Sequence, residues 1–227
     1  IDWKCENGDK FSMGLIVTNS YGVQEKNWGY IFIEKSVLDK YGMTNTADYG
    51  IGYSKTLGAF KTSVQLLNGE GFKNEESNNQ QALYLSILYG ESELNKNDGM
   101  NFGVVINHVP QKDVAGNSLI GFFGGWASNN LRFGLERNQY KEKKHSYTKD
   151  LSSFYANYTI SDNGDIFFRH DINMEDFESN PEGSGELPSE FTILGGVWNP
   201  TKGLYISPNL YVADDVNTYH LTCMFKY

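Results

Sequence analysis

Only two cysteines are present, Cys5 and Cys223, near the opposite ends of a 227-residue chain. Two thiols make neither a disulfide framework nor a metal cage, and whether these two pair depends on geometry that spacing does not give. Positive charge is scarce. The 19 Lys and Arg stand against 28 Asp and Glu, a formal net charge of −9, which argues against nucleic acid as a partner because phosphate contacts need basic patches. Long apolar runs are missing too: no stretch approaches the roughly 18 consecutive apolar residues of a spanning helix. Mean hydropathy is −0.49. Helical membrane proteins are thereby excluded but strand-built ones are not, since barrel strands alternate lipid-facing with lumen-facing residues and so average to a soluble-looking value. An initiator methionine and a signal peptide are also lacking, as expected of a processed mature protein or of a piece of a longer one.

Aromatic residues, by contrast, are plentiful, with 15 Tyr and 14 Phe beside 24 Gly, which a disordered chain would not carry. They fall into runs of period two. Ala47, Tyr49, Ile51 and Tyr53 alternate with Asp48, Gly50, Gly52 and Ser54; Phe60, Thr62, Val64 and Leu66 alternate with Lys61, Ser63 and Gln65. Leu83, Leu85, Ile87 and Tyr89 share a face, as do Met100, Phe102, Val104 and Ile106. Leu131, Phe133 and Leu135 oppose Arg132, Gly134 and Glu136, and Phe154, Ala156, Tyr158 and Ile160 oppose Ser153, Tyr155, Asn157 and Thr159. Each run has one greasy face and one small or polar face.

Between the runs lie two sorts of connector. Leu57-Gly58, Ser128-Asn129-Asn130, Ser161 to Gly164 and Asn199 to Gly203 have short-turn chemistry. Asn68 to Gln80, Glu91 to Gly99, Tyr140 to Asp150 and Asn173 to Ser189 are long and polar. Alternating short turns with long loops is the habit of an up-and-down transmembrane barrel. The reading is therefore an all-β, antiparallel up-and-down barrel of about twelve strands. The strands start near Phe11, Ala47, Ala59, Gln81, Gly99, Ser118, Asn130, Asp150, Gly164, Glu190, Gly203 and Asn217. The whole chain, 1–227, reads as one such domain. One connection, about 21–46, is unusually long for a loop; it is either a surface excursion or, folded into the lumen, a segment that would narrow a pore. Its charges, Glu25, Lys26, Glu34 and Lys35, are then the candidate constriction residues. Alternation gives Asp48, Lys61, Arg132, Glu136, Arg169 and Asp171 as candidate lumen-lining residues. These either bias ion passage or pair with one another to brace a polar interior.

At the C-terminus Tyr219, Leu221, Cys223, Phe225 and Tyr227 occupy every second position. A soluble sheet avoids ending on such an aromatic edge strand. Tyr219, Leu221, Phe225 and Tyr227 resemble the terminal signal read by the machinery that assembles outer-membrane barrels. Trp3, Trp28, Trp126 and Trp198 are expected in part at the membrane interfaces.

Gly14 to Thr18, Glu25 to Tyr30, Glu34 to Ser36, Ala47 to Gly50, Asn68 to Gly71, Phe167-Phe168-Arg169-His170-Asp171 and Ile206 to Asn209 resemble segments of the phosphate-selective porin superfamily. That resemblance implies passive diffusion through a water-filled lumen in a bacterial outer membrane, and a homotrimer. The partners it implies are membrane lipid, lipopolysaccharide and the assembly machinery. Two departures stand out. Ile31 occupies a place where such porins often carry a basic residue, and the acidic excess does not suit a lysine-lined anion path. Family members are also longer, so the barrel either closes with about twelve strands or has up to about 16, with the first ones absent from this chain.

Catalysis is not expected. His108, His145, His170 and His220 lack metal-site spacing, no nucleophile elbow occurs, and His170 and Asp171, as neighbours in a strand, point to opposite faces. No cofactor or metal is expected. Two rivals to a porin remain: a plugged or structural barrel whose loops bind a partner, and a soluble β-barrel that binds a small ligand or glycan. The second requires the aliphatic face of each strand to be buried inside.

Overall fold

The computed structural model describes residues 1–75, 79–111, 114–142, 147–177 and 188–226. Thirteen strands form one antiparallel sheet in sequence order. They are β1 (Asp2–Lys4), β2 (Lys10–Val17), β3 (Ala47–Leu57), β4 (Phe60–Leu67), β5 (Ala82–Gly90), β6 (Gly99–Gln111), β7 (Val114–Ser128), β8 (Leu131–Glu142), β9 (Tyr147–Ser161), β10 (Gly164–Phe177), β11 (Glu190–Thr201), β12 (Leu204–Ala213) and β13 (Val216–Phe225). The twelve strands read from alternation correspond to β2 through β13. The thirteenth, β1, is too short to show a period and pairs only through Asp2↔Ser12, Trp3↔Phe11 and Lys4↔Lys10. Among the described residues β1 and β13 are the two ends of the sheet and do not pair with each other.

Antiparallel order puts the connection 18–46 at one end of the sheet, with the end of β4, the start of β5, the end of β10 and the start of β11. At the opposite end lie the two-residue turns 58–59, 129–130, 162–163 and 202–203. Asn129 and Gly203 take left-handed backbone there, as tight hairpins require. Residues 91–98, expected among the long loops, belong to this short-turn end. They fold inward because Asn101 Nδ2 donates to the Glu91 carbonyl at 2.6 Å and Leu94 is buried. Of the segments expected as loops at Tyr140 to Asp150 and Asn173 to Ser189, residues 140–142, 147–150 and 173–177 are strand, since β8, β9 and β10 run further than their hydrophobic alternation suggests; residues 143–146 and 178–187 lie outside the described residues.

The greasy face of the strands points outward. Met13, Leu15, Ile51, Val64, Ile87, Ile106, Phe122, Leu135, Ile172 and Leu194 are all exposed. This reverses the arrangement a soluble barrel needs, and a continuous apolar surface of this extent is a membrane face. Towards the short-turn end the face becomes aromatic. Phe11 packs on Tyr53 (4.9 Å between centroids), Tyr89 lies between Phe60 (5.0 Å) and Phe102 (4.9 Å), and Trp126 meets Phe133 (5.5 Å). Trp3 and Trp198 join this girdle, exposed at the same level of the sheet. Trp28 does not: it is 1% exposed, in the interior. On β13, Tyr219, Leu221 and Phe225 are 70% exposed or more and face outward; Tyr227 lies outside the described residues.

The outward face yields a test. Phe122 sits midway along β7, so Phe122→Arg should lower unfolding free energy in lipid vesicles by about 2–4 kcal/mol, the cost of a cation at bilayer mid-depth. Denaturant titration of vesicle-folded protein measures this. A change within about 0.5 kcal/mol, normal for a water-exposed site, would show that the face does not meet hydrocarbon.

Candidate functional site

The connection 18–46 turns into the concave face of the sheet, and nearly all of its residues are buried or partly buried there. It descends from the long-loop end as α1 (Gly22–Trp28), reverses at Gly29, and climbs back through a second short helix, α2 (Val37–Lys40). At Gly29 the backbone is left-handed (φ 84°) and the amide caps α1 by donating to the Glu25 carbonyl at 2.7 Å. A Cβ at this position would also collide with the Arg132 guanidinium. The left-handed backbone is what favours glycine here, since the contact alone would only displace the flexible end of Arg132.

Two apolar clusters seat the loop. Tyr21, Val37, Leu38, Tyr41 and Met43 pack on Leu88, Val105, Leu119, Phe123 and Leu151 of the wall. Trp28, Tyr30 and Ile33 pack on Tyr155, Phe167, Phe191, Ile193 and Val197. The Trp28 ring stands edge-on to Tyr30, Tyr155 and Phe167 at 5.6–5.8 Å between centroids. Room for these rings comes from the wall itself: Tyr155 lies over Gly134, its direct cross-strand neighbour, and Phe123 and Phe167 cover Gly103 and Gly195 in the same way.

Apolar packing leaves the loop's backbone carbonyls without water, and inward-facing donors meet them. The Trp28 carbonyl accepts from Asn157 Nδ2 (2.9 Å) and Arg132 Nη2 (3.2 Å). Arg169 Nη1 donates to the Lys35 carbonyl (2.6 Å), Tyr211 Oη to Ile33 (2.6 Å), Lys149 Nζ to Tyr41 (3.0 Å) and Tyr155 Oη to Gln24 (3.4 Å). Arg169 is held in turn by Asp171, two residues along the same face of β10, through Nε–Oδ1 at 2.9 Å and Nη2–Oδ2 at 2.7 Å; Ser153 Oγ also donates to Asp171 at 2.6 Å. At the long-loop entry Asn107 bonds Ser20, and towards the short-turn end Asn101 bonds Asn27 through paired carboxamides.

The candidate lumen-lining residues therefore have several environments. Arg169 and Asp171 lie on the inner face but are wholly buried beneath the loop. Glu136 is buried beside them and accepts from Tyr155 Oη and Asn138 Nδ2, both at 3.3 Å. Asp48 is buried and accepts from the Gly69 amide at 2.6 Å, bracing the turn after β4. Lys61 is exposed at the short-turn end and reaches Ser92, and Arg132 faces a recess at that end. Of the loop charges, Lys26 pairs with Glu93 (3.2 Å), Glu34 with Lys40 (2.8 Å) and Lys35 with Asp39 (3.5 Å). Burial, reinforced by Asp39, pushes the Glu25 carboxyl above its ordinary value, whereas hydrogen bonds from Lys96 and Lys26 pull that of Glu93 below. Lys149, Asn157 and Tyr211 escape sequence reading as loop holders. Asn157 and Tyr155 do alternate onto the polar face, but nothing local shows what they would bind. Lys149 lay within an expected loop.

Two recesses open above and below the seated loop. The one at the short-turn end measures about 730 Å³ and is lined by Tyr30, Phe32, Arg132, Asn157 and Asp165 among others. The other, at the long-loop end, measures about 220 Å³ and is lined by Thr44, Asn45, Glu70, Tyr84 and Tyr140 among others.

No protein-family model and no curated protein sequence matches the chain, so the phosphate-selective resemblance gains no support. Solved structures do match. A loop-L8 deletion mutant of OmpT, an outer-membrane protein of Vibrio cholerae, aligns over 96% of this chain and 75% of its own, at 12% identity and a TM-score of 0.67. OmpF of Salmonella typhi, in complex with daunomycin, aligns over 98% and 75% at 10% identity and a TM-score of 0.66. A porin refined at 1.8 Å aligns over 100% and 90% at 10% identity and a TM-score of 0.62. At such identities the likeness is one of fold, and the fold is that of the porin-like outer-membrane β-barrels.

Proposed function

We propose that the protein is an outer-membrane porin that passes ions and small hydrophilic solutes by diffusion, without catalysis, and that the seated loop sets the bore. The observation that carries this reading is the loop itself: it is anchored across the inner face on strands from β5 to β12, with a recess at either end. The likeness to porin folds supports it. The outward aromatic positions of β13 fit an assembly signal, the apolar outer face fits lipid and lipopolysaccharide, and a trimer form of OmpT among the similar structures favours a homotrimer.

One observation favours a second reading, a closed barrel. Between the recesses the loop packs through Trp28, Leu38 and Tyr41, all almost fully buried. Single-channel conductance of detergent-purified protein in a planar bilayer separates the two. Steady openings are expected of the porin; silence from folded, heat-modifiable protein would leave the closed barrel.

Two substitutions follow from the anchoring. Arg169→Ala removes the donor to Lys35 and strands Asp171, a loss of about 3–5 kcal/mol where a buried pair is broken. The freed loop should make single-channel current larger or noisier; the paired change Arg169→Met with Asp171→Leu, which strands no charge, should do the same in better-folded protein. Unchanged current in both would mean that the loop does not set the bore. Lys35 is the most exposed of the loop charges, and Lys35→Glu should shift the reversal potential in a salt gradient towards cations. A potential identical to that of the parent protein would remove Lys35 from the ion path.

A further inference from the structure

Tyr155, buried between the wall and the loop, has one proton and two acceptors. Its Oη lies 3.4 Å from the Gln24 carbonyl of α1 and 3.3 Å from Glu136 Oε1. A phenol has a single O–H to donate, so an ionised Glu136 and the loop carbonyl cannot both receive it. Glu136 is 4% exposed, and among the described residues it has no ion-pair partner, because the Arg169 guanidinium is held by Asp171. Its Oε2 accepts from Asn138 Nδ2 at 3.3 Å.

The two protonation states of Glu136 give two arrangements of these bonds. With a proton on Oε1, Glu136 donates to Tyr155 Oη and the phenol donates to Gln24, so one chain of bonds joins wall and loop. Without that proton the carboxylate is the stronger acceptor; it takes the phenol's hydrogen, and the anchor to α1 is lost. Ionisation also sets a second carboxylate acting on Arg169, the residue that Asp171 aims at the Lys35 carbonyl.

The surroundings do little to neutralise an ionised Glu136. From β10, Arg169 and Asp171 act on it with opposite charges. Its direct neighbours on β7 and β9 are Phe123 and Ser153. Arg132, on the same face of β8, is committed to the Trp28 carbonyl. On the loop, Lys26 pairs with Glu93, Lys35 with Asp39 and Lys40 with Glu34, while Glu25 is a further acid.

We propose that Glu136 is a proton-operated latch for the loop: protonated, it holds α1 to the wall through Tyr155; ionised, it draws the Tyr155 hydrogen away and loosens the loop. Proton binding and loop seating are reciprocal, so seating weakens as pH rises. The latch rests on the reading of 18–46 as the loop that sets the bore, but exchange of loop amides is measured without current, so latch and pore can fail separately.

The test follows amide hydrogen exchange of residues 18–46 by mass spectrometry in the detergent-folded full chain, beside Glu136→Gln at matched pH. A Gln at this position donates to Tyr155 as the protonated acid does, and matching the pH cancels other titrations, such as that of His220 beside the Tyr211 ring. The parent loop should exchange as the variant does at about pH 4 and about fivefold faster at about pH 9, the effect of one net hydrogen bond over a span covering ordinary and buried carboxyls. Tyr155→Phe keeps the ring beside Trp28 and lacks the hydrogen. Its exchange relative to the parent should fall from about fivefold to about equal as pH rises, which keeps the latch testable should Glu136→Gln fail to fold. A ratio of parent to Glu136→Gln that stays constant with pH would overturn the proposal, as would a pH-dependent loosening that persists in Tyr155→Phe.

Discussion

An irregular segment buried inside a sheet must find partners for its backbone carbonyls, because neither water nor a strand ladder reaches them. Several of the buried polar side chains of this protein answer to that requirement. Trp28, Ile33, Lys35 and Tyr41 each present a carbonyl to the wall, and Asn157, Arg132, Tyr211, Arg169 and Lys149 each spend a donor on it. The Arg169–Asp171 pair is best understood within this scheme. Asp171 orients the guanidinium so that Nη1 points at Lys35, and Ser153 in turn steadies Asp171. A buried ion pair is weak evidence for stability in itself, but as a rigid holder of a hydrogen-bond donor it decides where the loop lies.

Hydrophobic burial completes what the donors begin. The outer face is apolar because hydrocarbon surrounds it, whereas the inner face is apolar in patches: Leu88, Val105, Leu119 and Leu151 under α2, Phe167, Ile193 and Val197 under Trp28, and a smaller cluster of Ile16, Leu67, Ala82 and Tyr84. Elsewhere the inner face is amide, hydroxyl and charge, as at Asp48, Lys61, Arg132 and Glu136. The sheet thus carries two separate hydrophobic patterns, one continuous and outward, one local and inward. Glycines opposite Phe123, Tyr155 and Phe167 let those rings lie flat enough for both to coexist.

Strands β2 to β13 were legible from alternation, because a lipid-facing side chain at every second position is a strong and repeated signal. The entry of the connection after β2 into the interior was legible from its length. Less visible was everything set by long-range contact. Trp28 reads as an interface residue until its neighbours Tyr155 and Phe167, more than a hundred positions away, are known. Residues 91–98 read as a long outer loop because polarity alone does not tell one end of a barrel from the other; only counting every hairpin does, and the turn between β6 and β7 carries little signal. Arg169 and Asp171 were placed on the correct face by period two, yet that period cannot say whether a face meets water or a folded loop.

The loop precedes in the chain every strand that holds it. Its carbonyls meet donors 104 to 178 residues further on, from Trp28 with Arg132 to Ile33 with Tyr211. Contacts of such separation form only after the intervening chain is ordered. The wall must therefore be curled through β12 before the last anchor exists, so the loop waits, greasy and unpaired, while the sheet assembles around it. Docking of this segment is then among the final steps of maturation, and a stalled barrel would present Trp28 and Leu38 to whatever surrounds it.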